Sequence, residues 1–342
     1  MPRGHKKVRL ALILLAAGIS LAAVLGGAKG ALNGNDAEPE GLTYAIDVRG
    51  GYAYVGAGRR FVVVDVSHPS KPMVAGEVQF PSGILDIFVA GALAYVADGD
   101  SGLRIVDVRN SAAPVEIGAA RTAGEANGVY VARNYAYVAD GEAGMRIIDV
   151  SDPMRPRTVG VSPTSGWDHD LDVSDARAYV GAGEAGLRIV DVANPAAPAE
   201  IGSYRTANDV TGVAVAGNRV YVAAGGSGLR VIDVTDPANP IETGHDDHKY
   251  AGRIVLRGRH AFIAGQHAGI WVADISRTGQ VRVIAESSVA GSANGIAAAD
   301  DYSYIADGTG GLLVVQHAPD SLQELRRWFL SLAQSQPANW PH

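Results

Sequence analysis

The sequence contains no cysteine, which excludes a disulfide framework, a thiolate metal site and a cysteine nucleophile. Charged residues make up only 19% of the 342 positions, and no segment between residues 42 and 317 shows a helical period of useful length. Serine-hydrolase elbows, HExxH zinc motifs, Walker loops and deaminase signatures are also absent. The chain has instead 43 glycines and 47% apolar residues, a composition typical of many short strands joined by tight turns.

The first 30 residues differ from the rest of the chain. They begin with four basic residues, Arg3, Lys6, Lys7 and Arg9. An uncharged apolar run over residues 10–25 follows, and Gly26 and Ala28 then supply the small residues of a signal-peptidase site. The apolar stretch at residues 8–28 also approaches the roughly 20 residues that a membrane-spanning helix needs. We therefore predict that residues 1–30 are a signal peptide or, if they are not cleaved, a membrane anchor.

Both alternatives place the rest of the chain outside the cytoplasm, in the periplasm, at the cell surface or in the medium. Removal of residues 1–28 takes away four basic and no acidic residues, so the formal net charge falls from −7 to −11. An acidic body argues against a nucleic-acid partner. A membrane is expected to be contacted only through the N-terminal segment, if that segment is retained.

One motif recurs seven times along the chain. The copies FVVVDV, LRIVDV, MRIIDV, LRIVDV, LRVIDV, IWVADI and LLVVQH begin at residues 61, 103, 145, 187, 229, 270 and 312. An aromatic residue keeps the same spacing, at Tyr54, Tyr95, Tyr137, Tyr179, Tyr221, Phe262 and Tyr304. Two independent registers with steps of 41 or 42 residues establish an internal repeat.

Each repeat contains four predicted strands. In the third repeat they are residues 127–133, 135–140, 145–150 and 157–161. These runs are short, β-branched or aromatic, and bounded by Gly, Asp and Pro. Four strands in about 42 residues describe the blade of a β-propeller. We predict an all-β fold in which residues 42–317 form a seven-bladed β-propeller, preceded by a linker at residues 31–41.

The recurring pattern GLRIVDVSDPxxPxxxG, with AYVADG before it, resembles the LVIVD-repeat family of exported bacterial and archaeal β-propeller proteins. The resemblance covers residues 42 to about 317 and rests on a motif that returns seven times. It implies a propeller fold and an extracytoplasmic location. It implies no particular activity.

The two ends of the propeller are less regular than its repeats. The last repeat lacks an outer strand after Gln316, and residues 31–36 lie in the matching register although their composition is poor for a strand. Residues 318–342 are predicted to be a tail with a short amphipathic helix, since Ser321 and Glu324 form a capping box. We expect this helix to dock on the propeller edge, with a partner or a membrane surface as the alternative.

Residues that are present in most repeats are interpreted as architecture. Arg104 and Asp107, for example, lie three apart on one strand and therefore on opposite faces, which predicts structural bridging. Residues 181–186 read GAGEAG but join two strands, so no helix is available to complete a dinucleotide site. Acidic turn residues such as Asp98 and Asp140 are expected to be solvated or bonded to local amides, with weak Ca²⁺ binding as the alternative.

The repeat pattern breaks down in the loops that lead into repeats four, five and six. In a propeller these loops share one face with the turns between second and third strands. The predicted ligand-binding residues on that face are Trp167, Asp168, His169, Asp170, Asp209, His248 and His267. Four of them are also candidate ligands of a divalent metal: His169, Asp170, His248 and His267. Asp168, Asp170 and Asp172 alternate, which would place them on one face of an extended strand.

Short, regular loops favour a non-enzymatic binding module that presents a polar face to a protein or glycan partner, and Trp167 would add a stacking surface. The alternative is a metal-assisted hydrolase or lyase with its site at the channel mouth. A third hypothesis is self-assembly into a surface layer or filament. Apart from the divalent metal, no cofactor is predicted.

Overall fold

The chain folds into seven four-stranded antiparallel sheets that form a ring. The computed structural model describes residues 23–25, 42–247, 249–277 and 279–316. The first strand of each sheet packs against the first strands of both neighbouring sheets, and sheet one meets sheet seven in the same way. The prediction of an all-β, seven-bladed propeller with four-stranded blades is therefore confirmed.

The strands are numbered in chain order, and each blade takes four of them. Blade one contains β2 (Thr43–Arg49), β3 (Tyr52–Ala57), β4 (Arg60–Asp65) and β5 (Met73–Gln79). Blade two contains β6 (Asp86–Ala90), β7 (Leu93–Ala97), β8 (Leu103–Asp107) and β9 (Val115–Ala120). Blade three contains β10 (Gly128–Ala132), β11 (Tyr135–Ala139), β12 (Met145–Asp149) and β13 (Arg157–Ser162). Blade four contains β14 (Asp170–Ser174), β15 (Arg177–Gly181), β16 (Leu187–Asp191) and β17 (Ala199–Tyr204).

The remaining blades follow the same order. Blade five contains β18 (Gly212–Ala216), β19 (Arg219–Ala223), β20 (Leu229–Asp233) and β21 (Ile241–Asp246). Blade six contains β22 (Arg253–Arg257), β23 (His260–Ala264), β24 (Ile270–Asp274) and β25 (Arg282–Ser287). Blade seven contains β26 (Gly295–Ala299), β27 (Tyr302–Ala306), β28 (Leu312–Gln316) and, as its fourth strand, β1 (Ala23–Leu25).

The hydrophobic core lies between neighbouring blades. Each of its seven clusters joins apolar side chains from two adjacent sheets. The aromatic residues that mark the repeat are all buried in these clusters: Tyr54, Tyr95, Tyr137, Tyr179, Tyr221, Phe262 and Tyr304. Each blade therefore depends on both neighbours to remove its two apolar faces from water.

The repeated polar residues have structural partners within their own blades. Asp149 accepts a hydrogen bond from the backbone N–H of Ser151 at 3.0 Å and so closes the turn that follows the third strand. Arg104 donates to Asp98 at 3.1 Å and to Glu116 at 3.1 Å. These contacts support the interpretation of the repeated Arg and Asp residues as architecture.

A glycine in the fourth strand lets adjacent blades approach closely. A Cβ atom added at Gly202 would lie 1.7 Å from the carbonyl oxygen of Pro237 in the next blade. A Cβ atom at Gly160 would lie 2.0 Å from the carbonyl oxygen of Pro195. The glycine that ends the recurring PxxxG pattern is therefore required by the packing between blades.

The ring is completed by a strand from near the N-terminus. β1 pairs with β28 in antiparallel register, with Val24 opposite Val315. The sequence instead suggested residues 31–36 for this position. Residues 23–25 read Ala-Val-Leu, which suits a strand better than the Asn- and Gly-containing residues 31–36.

β1 falls within the predicted signal segment at residues 1–30. The other residues of that segment, the linker at residues 31–41 and the C-terminal helix predicted within residues 318–342 lie outside the described residues. Across the part of the chain that is described, no helix is both long enough and apolar enough to cross a bilayer.

We call one side of the ring its upper face: it is formed by the turns between second and third strands and by the loops that enter the first strands. Isolated β-bridges join the turn of one blade to the loop entering the next. The pairs are Gly99 with Ala126, Gly141 with Asp168, Gly183 with Val210, Gly225 with Ala251, Gln266 with Ala293, and Gly308 with Thr43. This belt of bridges fixes the loops of the upper face to one another.

Candidate functional site

The first strands line a central channel, and their pairing with the second strands defines equivalent positions in all seven blades. The uppermost position that is paired in all seven blades, which we call the upper ring, holds Ala45, Asp86, Gly128, Asp170, Gly212, Arg253 and Gly295. Two residues further along each strand, the middle ring holds Asp47, Phe88, Tyr130, Asp172, Ala214, Val255 and Ala297. The upper ring therefore carries three charged residues among small ones.

Arg253 crosses the channel within the upper ring. Its Nη1 atom lies 2.7 Å from Oδ1 of Asp170, two blades away. Its Nη2 atom donates to the carbonyl oxygen of Asn127 at 3.2 Å and points toward that of Leu85 at 3.5 Å. Asp86 also interacts with Arg253 electrostatically. One guanidinium group thus links blade six to blades two, three and four.

The two carboxylates of the upper ring also join neighbouring blades. Asp86 accepts from the backbone N–H of Val129 at 2.9 Å, and Asp170 accepts from that of Val213 at 3.0 Å. Burial raises the pKa of Asp86 to about 7, although Arg253 acts in the opposite direction. These side chains therefore satisfy backbone donors at the channel edge of the first strands.

The sequence analysis identified Asp170 but missed Asp86 and Arg253. They could have been found by aligning the repeats, because apart from Asp170 the equivalent residues of the other repeats are Gly or Ala. The register of the first strands makes this replacement visible.

Asp168 lies in a different environment from Asp170 and Asp172. Its carboxylate is buried and accepts a hydrogen bond from the Thr164 hydroxyl at 2.6 Å, while its backbone bridges Gly141 of the preceding blade. Burial raises the pKa of Asp168 to about 7. Asp170 and Asp172 line the channel, and Asp168 does not belong to that lining. Of the three residues predicted to share one face of the strand, Asp170 and Asp172 do so and Asp168 does not.

Three rings on the upper face lie close to the turn glycines of three consecutive blades; Trp167 and His169 come from the loop entering blade four and Tyr250 from the loop entering blade six. A Cβ atom at Gly141 would lie 3.3 Å from the Trp167 ring, and one at Gly183 would lie 3.6 Å from the His169 ring. The corresponding distance from Gly225 to the ring of Tyr250 is 3.6 Å. We call Trp167, His169 and Tyr250 the aromatic arc. Tyr250 was not among the predicted residues, although its loop was.

The members of the aromatic arc differ in exposure and charge. Trp167 is 37% exposed, whereas His169 and Tyr250 are half-buried. Burial and the nearby Arg253 lower the pKa of His169, so its imidazole is neutral at pH 7. Among the described residues, the His169 ring has no hydrogen-bond partner. Its polar atoms can therefore bond to a ligand.

The other predicted site residues lie around the arc. Asp209 and His267 are exposed on the upper face, and His248 lies outside the described residues. Within residues 42–247, 249–277 and 279–316, no three acidic or histidine side chains form a group that could hold a metal ion. Because His248 is one of the four candidate ligands, the metal site stays a prediction.

Comparisons with known proteins agree with the repeat. The family model described as "LVIVD repeat" matches residues 40–79, 85–122, 123–164, 165–206, 207–247, 249–279 and 290–316. No curated protein matches the chain.

Solved propellers resemble the structure at low sequence identity. The RRP9 WD40 repeats share 9% identity with a TM-score of 0.68, covering 88% of this chain and 97% of that one. The β-propeller domain of Cps50 (Swd1) from Myceliophteria thermophila shares 12% identity with a TM-score of 0.63, covering 81% and 96%. The computationally designed Ika8 protein shares 12% identity with a TM-score of 0.60, again covering 81% and 96%. These likenesses concern the fold alone.

Proposed function

Since this chain belongs to the LVIVD-repeat family, we propose that it is a binding module that recognises a protein or glycan partner through its upper face. The observation that carries the proposal is the aromatic arc. Trp167 offers an exposed, rigidly supported ring, and His169 and Tyr250 continue the surface across two further blades. Aromatic rings with polar atoms at their edges are favoured anchors for partner surfaces.

The rigidity of the upper face supports recognition without rearrangement. Its loops are short, and the belt of β-bridges ties six of the seven to the turn of the preceding blade, while a hydrogen bond from Ile84 to Gly58 holds the seventh. Gly141 and Gly183 both have positive φ angles, of 57° and 53°, which suit the close approach of the rings above them. A preorganised surface loses little conformational entropy when it binds.

The carboxylates near the channel mouth favour binding over catalysis. Asp170 is held by Arg253 at 2.7 Å, and Asp168 is held by the Thr164 hydroxyl at 2.6 Å. A general base or metal ligand has to be accessible to substrate or ion. The metal-assisted hydrolase or lyase remains the alternative, and it predicts a stoichiometric divalent metal in the purified protein.

The binding function predicts a large effect of Trp167→Ala on partner affinity. Partners would first be identified with a glycan array and with purified surface proteins. Affinity for an identified partner should then fall at least about tenfold, because an exposed aromatic anchor contributes strongly to an interface. Calorimetric titration of the full-length chain would measure it.

The matched control is Met154→Ala, which shortens an apolar side chain that is 70% exposed in a turn away from the arc. This variant should bind like the unsubstituted chain. If Trp167→Ala, Met154→Ala and the unsubstituted chain bind the partner equally well, the binding site lies away from Trp167. Absence of binding to every glycan and protein, together with a stoichiometric metal, would favour the enzyme.

We further propose that the propeller acts outside the cytoplasm. Support comes from the basic start, apolar run and small residues of positions 1–30. Mass spectrometry of the protein from the extracytoplasmic fraction should show a chain beginning near Lys29, which lacks β1 and so leaves blade seven with three strands of its own, or an intact N-terminus in the membrane fraction if the segment is an anchor. A soluble cytoplasmic species that retains residues 1–28 would contradict export.

A further inference from the structure

The channel contains a cavity of about 450 Å³ that is lined by residues of both the upper and the middle ring. Four consecutive blades supply one side of its middle ring, with Asp47, Phe88, Tyr130 and Asp172 in that order. We call these four residues the acidic-aromatic wall. The cavity is of a size that holds small molecules.

The cavity carries an excess of negative charge. Four carboxylates and two guanidinium groups line it, so the formal excess is two negative charges when all are ionised. Arg253 is bound to Asp170 at 2.7 Å, and the other guanidinium, of Arg49, lies 3.8 Å from Asp47. The two carboxylates outside these pairs are Asp86, which also feels the charge of Arg253, and Asp172, which has no nearby cation in the described part of the chain.

Asp172 is a carboxylate without a cationic partner. Its two oxygens accept backbone hydrogen bonds from Val173 at 2.7 Å and from Val215 at 2.8 Å. No Lys, Arg or His among the described residues forms an ion pair with it, and its charged neighbour in the channel is another carboxylate, that of Asp170. Each oxygen keeps acceptor capacity for a further, positively charged group.

The ring of Tyr130 lies next to this carboxylate and interacts with it electrostatically, and the ring of Phe88 packs against Tyr130 on the far side. Phe88 and Tyr130 have ring centroids 4.8 Å apart with planes inclined by 50°, and both rings line the cavity. The face of an aromatic ring attracts a cation, and the attraction is stronger in a partly desolvated site. Rings and a carboxylate together are the usual elements of an ammonium-binding cage.

The opposite side of the middle ring is small and apolar. It consists of Ala214, Val255 and Ala297 from blades five, six and seven. These side chains leave room for the hydrocarbon part of a ligand and offer it no hydrogen-bonding group. The middle ring is therefore acidic and aromatic on one side of the channel and apolar on the other.

We infer that this cavity binds a small organic ammonium ion, with the cationic group between Asp172 and the rings of Phe88 and Tyr130. The hydrocarbon part of the ion lies against Ala214, Val255 and Ala297. Arg49, which is exposed at the lower end of the same channel, repels a second positive charge, so a monocation is preferred to a polyamine. The site is separate from the aromatic arc and does not depend on it.

Choline is a suitable probe, because its uncharged isostere, in which carbon replaces the quaternary nitrogen, has nearly the same shape. Calorimetric titration of the full-length chain should show saturable binding of choline, and the isostere should bind at least about tenfold more weakly. Asp172→Asn should weaken choline binding by a similar factor. Phe88→Leu should weaken it several-fold, while Tyr130→Phe, which keeps the ring, should leave it nearly unchanged.

Two control variants separate this site from the upper face. Asp100→Asn removes an exposed carboxylate elsewhere, and Trp167→Ala removes the main ring of the aromatic arc. Both should bind choline normally, so a failure of the proposed partner recognition leaves this test intact. If Asp172→Asn does not fold, the comparison of choline with its isostere and the Phe88→Leu variant still decide. Equal binding of choline and the isostere, or no binding at millimolar choline, would overturn the inference.

Discussion

Arg253→Met is expected to lower the free energy of unfolding by about 3–5 kcal/mol, the usual effect of removing one partner from a buried ion pair. The substitution would leave Asp170 without its contact at 2.7 Å and Asp86 without a compensating charge. It would also remove the donor to the carbonyl oxygen of Asn127. Urea denaturation followed by near-ultraviolet circular dichroism would measure the change.

Arg257→Met is the matched control, because Arg257 ends the same strand, is 41% exposed and lies 3.9 Å from Asp300. Its replacement should change stability by less than about 0.5 kcal/mol. Adding Asp86→Asn and Asp170→Asn to Arg253→Met should recover part of the loss, since the uncompensated charges are then removed. Equal stability of the two single variants would show that the channel ion pair contributes nothing.

Stability is also expected to decrease as pH rises from about 4 to 7. Burial raises the pKa of Asp168 to about 7 and the pKa values of Asp98 and Asp172 to about 6, above their ordinary value of 3.8. Between pH 4 and these raised pKa values, the folded chain binds more protons than the unfolded chain. The stabilisation is therefore complete below pH 4 and is lost as pH rises through the folded-state pKa values. The lowered pKa of His169 acts in the opposite direction, but it is one group against several.

Below pH 4 the pH dependence of stability has the opposite sign. Hydrogen bonds from Ser151 and Arg157 lower the pKa of Asp149 to about 2, so its contribution is present above pH 4 and is lost as pH falls. Maximum stability is thus expected near pH 4, and urea midpoints measured at intervals from pH 2 to 8 would test it. Asp168→Asn should flatten the decline. A urea midpoint that rises steadily from pH 5 to 8 would contradict the raised pKa values of the buried carboxyl groups.

The repeat allowed the blade to be predicted closely. The aromatic anchors, the DV motif and the Pro-bearing turns each act within one repeat or on its immediate neighbour, so seven similar segments indicate seven similar sheets. The fourth strand of blade seven could not be placed in this way. It comes from residues 23–25, whose apolar character also suits a signal segment.

The candidate site was predicted in part. Trp167, His169 and Asp170 break the repeat within a single loop and are conspicuous on that ground. Arg253 is an isolated replacement in a regular strand, and Tyr250 is one residue of an irregular loop. Their significance comes from what lies beside them, which is the channel carboxylates for Arg253 and Gly225 for Tyr250.

The period and composition of the sequence by themselves determined the number of blades, their strand order and the family, because turns and strand pairing are local. Only the closed ring decided which side chains share the channel. Arg253 meets the carbonyl oxygens of Asn127 and Leu85 across 126 and 168 residues of chain. Asp47 likewise reaches the backbone of Val89, 42 residues away. Such contacts join different repeats, so they depend on the curvature that all seven blades produce together.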